Sequence, residues 1–90
     1  MENFDLSLKD AELFLKEHGR HYVFPVEPLV AIGLRDETGT HGVAVIGMVD
    51  AESAQIAHIY VDGSFQGYSI LYGCCVRAVM ALSYKRLILK

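Results

Sequence analysis

The sequence has no excess of positive charge. Eleven acidic residues against eight basic ones leave a formal net charge of −3. A protein held on nucleic acid by charge alone needs the opposite balance, so a nucleic-acid partner is disfavoured. Cysteine is scarce as well. The two present, Cys74 and Cys75, are adjacent, and neighbouring residues close a disulfide only under strain. Both are expected as reduced thiols in a reducing compartment. No stretch is apolar over the ~20 residues that a bilayer span requires; the longest, Ile70 to Leu82, carries Arg77. Met1-Glu2-Asn3-Phe4-Asp5 lacks the basic start and apolar run of a secretory signal. The expectation is a cytoplasmic protein with no membrane contact. Repeats, low-complexity tracts and Gly/Ser linkers are also missing, which predicts one domain over residues 1–90.

What is present is apolar. Hydrophobic residues make up 52% of the chain and charged ones 21%, a globular composition. A domain this small cannot hide so much apolar surface, so part of it is expected to meet a second copy, as a homodimer.

Ser7 is placed to cap a helix, with Asp10 as the far member of a weak capping box. Leu8, Ala11, Phe14, Leu15 and His18 recur at helical spacing and Gly19 supplies the stop, predicting a first helix over Ser7 to His18. Arg20 to Pro28 holds both prolines and reads as an extended connector. Leu29 to Arg35 reads as a strand, and Asp36-Glu37-Thr38-Gly39 as a turn. Gly42 to Val49 is a second strand. Asp50-Ala51-Glu52-Ser53 turns again before a third strand over Ala54 to Val61. Loops this short predict an antiparallel meander.

After Asp62-Gly63-Ser64 a long helix is expected, over Gln66 to Ser83. Ile70, Leu71, Cys74, Cys75, Ala78, Val79 and Leu82 form a wide apolar stripe and the other face is barely polar, as in a helix buried on most sides. Gly73 within it costs roughly 1 kcal/mol against alanine, which predicts a close packing contact. Arg86 to Lys90 is the last strand. A right-handed crossover sets it parallel to the third. The expected class is α+β (mixed α/β) in the order α-β-β-β-α-β, an antiparallel meander plus a parallel crossover strand.

That order, ending in a strand, a turn, a buried helix and Lys85-Arg86-Leu87-Ile88-Leu89, resembles the core of the GNAT superfamily of N-acetyltransferases. The resembling pieces are Leu8 to His21, Asp62-Gly63, Ser69, Leu71-Tyr72-Gly73, Arg77-Ala78 and Leu82 to Leu87. They are most similar to the small phage and bacterial branch related to Mom-type DNA-adenine-modification proteins. The resemblance implies an acyl-CoA lying between the third and last strands. The backbone of Ile59, Tyr60 and Val61 would hold its thioester arm, and the turn with Gly63, Ser64, Gln66, Gly67, Tyr68 and Ser69 its pyrophosphate. In the superfamily that turn carries a Gln/Arg-x-x-Gly-x-Gly/Ala pattern, which offers backbone N–H groups at a helix N-terminus to the anion. Counted back from Lys85-Arg86, Gln66 and Tyr68 fall where the two glycines stand, and a tyrosine there narrows the approach of phosphates. The superfamily also continues with a helix and two strands, so Arg86 to Lys90 is expected as an open apolar edge, which dimerisation would cover.

The chemistry-bearing side chains each admit two readings. His58, mid-strand and on the expected face of Ile56 and Tyr60, has an ordinary pKa of about 6.5 and suits a general base toward an amine; it also suits a core imidazole. Tyr72, one turn from Tyr68, fits the tyrosine that serves superfamily members as general acid to the departing thiolate, or an interface aromatic. His18, Arg20 and His21 form a basic group that would touch the substrate, or simply neutralise a helix C-terminus. No metal is expected, because His18 and His21 have no further ligand nearby in sequence. Cys74 and Cys75 read as small buried hydrophobes. The expected function is a small N-acyltransferase moving an acetyl group from acetyl-CoA to an amine by direct attack. The alternative is a non-catalytic, homodimeric binding module derived from the same fold. An accessory to DNA modification rests on the family analogy alone.

Overall fold

The computed structural model describes residues 2–19, 27–63 and 65–89. In chain order the elements are β1 (Glu2–Leu6), α1 (Leu8–Glu17), β2 (Glu27–Asp36), β3 (Gly39–Met48), β4 (Ser53–Val61), α2 (Phe65–Ala81) and β5 (Arg86–Leu89). The strands form one sheet in the order β1-β2-β3-β4-β5. It is antiparallel from β1 to β4 and parallel between β4 and β5. The mixed α/β class, the meander and the parallel last strand are therefore as the sequence predicts.

The structure adds a strand ahead of the first helix. Only Asn3 to Leu6 alternates polar and apolar residues, a length too short to stand out by itself. β2 recruits it, from Glu2↔Arg35 to Leu6↔Ala31. Phe4 covers Gly33, where a Cβ would come within 2.5 Å of the ring, and the Arg35 guanidinium lies 4.3 Å from the ring centroid. β2 itself begins at Glu27, so the end of the expected connector is strand. Pro28 stands at a register shift, where a missing N–H does least harm to the ladder.

α1 begins as expected. The Ser7 hydroxyl accepts from the Asp10 N–H at 3.0 Å, and Gly19 ends the helix at φ +72°. Ala11 packs with Ala31 and Val45 on one face of the sheet. On the other face, Leu71, Cys74, Cys75 and Val79 of α2 close over Ile32, Leu34, Ala44, Ile46, Ala54 and Ile56. This is the larger core.

Two expectations for α2 change. It is not buried on most sides: it lies on the sheet and leaves Ile70 and Met80 exposed, Met80 at 70%. Gly73 also makes no close packing contact, since a Cβ there would meet only the Arg77 guanidinium at 3.5 Å. After α2 the Tyr84 N–H bonds back to the Val79 carbonyl at 3.2 Å, with Ser83 left-handed at φ 66°. Among the described residues no helix is long and apolar enough to cross a membrane.

Candidate functional site

β4 is the element that organises the candidate site, and it is not a regular strand. Its register with β3 passes from Val45↔His58 to Ile46↔Ile56, leaving Ala57 as an extra residue. Such a bulge bends the strand and re-aims the residues beyond it. Before the bulge, Ala54 and Ile56 face α2; after it, Ile59 and Val61 do. His58, opposite Val45, and Tyr60 therefore share the α1 face. His58 shares a face with Tyr60, as expected, but not with Ile56. The bulge is the reason.

On the α1 face the structure gathers several candidates. The Tyr60 ring lies 5.3 Å from that of His18 and 6.1 Å from that of Phe14. His18 caps its own helix, with Nδ1–H donating to the Phe14 carbonyl at 2.9 Å. It also lines a groove of about 550 Å³ with Phe4, Leu6, Asp10, Phe14 and Glu17. Tyr72 is elsewhere: it packs against the α2 core, so the two proton-transfer candidates, His58 and Tyr72, sit on opposite faces of β4. Arg20, His21 and Ser64 lie outside the described residues, as does the side chain of Gln66.

The β4–β5 ladder ends at Ile56↔Leu89, while β4 runs on through Val61 and leads by Asp62 and Gly63 into α2. The first turn of α2 contains no acidic residue, which leaves the positive end of the helix dipole without a competing carboxylate on its own turn. Gly67 is buried there and Tyr68 and Ser69 are exposed.

A cluster that the sequence reading missed stands beside this turn. His41 Nε2 is 2.8 Å from Asp36 Oδ1, and Nδ1 is 3.1 Å from both carboxylate oxygens of Asp62. Thr38 ties in through its hydroxyl, 2.7 Å from His41 Nε2 and donating to Asp36 Oδ1 at 2.6 Å. Hydrogen bonds from the Thr38 hydroxyl and amide hold the Asp36 carboxyl down to about 2, with His41 adding to them. The Asp62 and Asp36 carboxylates, Asp62 the stronger, raise the His41 imidazole above its ordinary value.

The cysteines are buried and reduced, as expected. Burial pushes the Cys75 thiol up to about 12. Cys74 has partners that sequence spacing did not show: Asn3 Nδ2 and Arg77 Nη2 donate to its Sγ at 2.9 and 3.2 Å.

No family profile and no curated protein matches the sequence. Among solved structures, the ribosomal-protein-alanine N-acetyltransferase from Brucella melitensis biovar Abortus 2308 matches with a TM-score of 0.74. The match covers 99% of this chain and 78% of that one, at 19% identity. The fold is GNAT-like.

Proposed function

We propose that the chain is a small GNAT-like N-acyltransferase that moves an acetyl group from acetyl-CoA to an amine. The observation that carries the reading is the course of β4. It bulges at Ala57, which sets His58 and Tyr60 on the α1 face, and leads through Asp62 and Gly63 toward a helix whose first turn carries no acidic residue. The residues fit the cofactor in kind. Gly63, Ser64, Gln66, Gly67, Tyr68 and Ser69 would receive the pyrophosphate, and the backbone of Ile59, Tyr60 and Val61 would orient the thioester arm.

When bound, acetyl-CoA supplies an activated acyl group. The chain supplies placement and proton handling. An amine reaching the α1 face would pass His18 and give up its proton to His58, while its nitrogen bonds to the acyl carbon and the carbon–sulfur bond breaks. The departing thiolate would take its proton from solvent, since Tyr72 lies across the sheet from His58.

Calorimetric titration with acetyl-CoA tests the reading, with Tyr68→Gly and Ser69→Gly beside the native chain. Micromolar binding by the native chain, followed by turnover on an amine panel that His58→Ala abolishes with affinity kept, is the expected result. Binding that only Tyr68→Gly restores would mark the tyrosine as a plug. Silence from all three sinks the enzyme.

A second reading has its own observation. Ile70, Met80 and Leu82 are exposed on or just after α2, each more than two-fifths accessible. This surface favours a homodimeric, non-catalytic module. Light scattering that finds a monomer at high concentration would remove it.

A further inference from the structure

The turn after β4 is held by an unusual arrangement. Asp62 is fixed twice to the start of β3: its N–H donates to the His41 carbonyl at 2.8 Å, and its carboxylate meets His41 Nδ1. The other ring nitrogen meets Asp36, the last residue of β2. A neutral imidazole has one N–H, and an ionised carboxylate can only accept. With a carboxylate at each nitrogen, the ring satisfies both contacts only as an imidazolium. Loss of its proton leaves one nitrogen a lone pair. At Nε2 the Thr38 hydroxyl, 2.7 Å away, can turn from Asp36 to donate to it, while at Nδ1 the contact with Asp62 is lost.

We infer that His41, protonated between Asp36 and Asp62, positions the turn that leads into α2, so that anion binding at that turn weakens as His41 loses its proton. The part concerning anion binding rests on the acyl-CoA reading; the clamp itself does not. The charged groups acting on the ring are Asp36 from the end of β2 and Asp62 from the turn after β4. The first turn of α2 adds no carboxylate, and Arg35 is engaged with Glu2 at 2.7 Å. The His41 side chain is 23% exposed, so the proton exchanges with solvent while the ring stays in place. His41 is a positioning residue in this account and touches no reacting atom.

The test tracks the ring and the turn together. Nitrogen-detected NMR of the native chain reads the His41 titration and tautomer, and amide exchange reads the protection of Asp62 and Gly63 over the same pH range. Both ring nitrogens should be protonated below the midpoint, which should lie above the ordinary ~6.5. Asp62→Asn should bring that midpoint down, and turn protection should fall with the native midpoint. The ratio of acetyl-CoA affinities, native over His41→Gln, should fall across the same midpoint. Taking the ratio cancels the titration of the cofactor's own phosphate, near pH 6. A midpoint at or below that of free imidazole, or turn protection that ignores it, overturns the inference. If the ring and turn respond together but acetyl-CoA binds at no pH, the clamp stands and the acyl-CoA reading falls. If His41→Gln does not fold, Asp62→Asn takes its place in the ratio.

Discussion

At its beginning β4 is held by main chain and a buried hydroxyl. Ser53, 2% exposed, accepts from Arg86 Nε at 3.0 Å, and the N–H groups of Lys85 and Arg86 donate to the Glu52 carbonyl at 2.8 and 3.1 Å. At its far end one main-chain bond, from the Asp62 N–H to the His41 carbonyl at 2.8 Å, is joined by ion pairs of the His41 side chain with Asp36 and Asp62. The near end carries the Asp50 carboxylate, which accepts from the Glu52 N–H at 2.8 Å, and so serves as scaffold from neutral to alkaline pH. The far end is adjustable, and it is the end that leads into α2. A candidate binding turn held partly by charge keeps its full set of contacts only while the His41 proton is in place.

The comparison is broken most severely at the near end. Ile56 is 1% exposed, faces the α2 core and makes the last pair with β5. Ile56→Ala should cost about 2–5 kcal/mol in denaturant unfolding, the range for emptying a buried aliphatic site. A loss well below this range would mean that the near end is not scaffold. A smaller change sharpens the same end. Ser83 holds a left-handed backbone at φ 66° on the way into β5, a conformation that costs an L-residue about 1–2 kcal/mol. Ser83→Gly should recover part of that, raising the unfolding midpoint. An unchanged or lowered midpoint would show that the Ser83 side chain offsets the strain.

The difference between the ends also tracks what the sequence disclosed. The near end was legible because its devices are local: turn residues at Asp50 to Ser53, then a strand, a helix and a strand of ordinary length. β1 was not, since Glu2 to Leu6 becomes a strand only by pairing with β2. The bulge did leave a trace. Apolar positions keep even numbers at Ala54 and Ile56 and odd ones at Ile59 and Val61, and a change of phase within one strand marks an inserted residue. Read as unbroken alternation, the strand put His58 on the face of Ile56. The His41 cluster left no such trace. Its partners lie 5 and 21 residues away, on either side of a turn and across a strand pair, and no spacing rule joins them.

The smallest expected effect is the one that belongs to the far end alone. The His41 pKa is raised on folding from 6.5. Its contribution to stability is therefore complete below that value and is lost as pH rises through the folded one. Asp36 runs the other way. Lowered from 3.8 to about 2, it contributes above pH 3.8 and loses that contribution as pH falls through about 2. The acid limb is not diagnostic, because the Glu52 N–H also lowers Asp50 at the opposite end of β4. The alkaline limb is. A stability–pH curve should decline above the His41 midpoint in the native chain and lie flatter there in His41→Gln. These groups reach solvent, so the gain is small and screened. The gap between the two curves should narrow in about 1 M salt, where the screening length is about 3 Å. A gap that ignores salt would assign His41 to packing, and the far end would then be held in the same way as the near one.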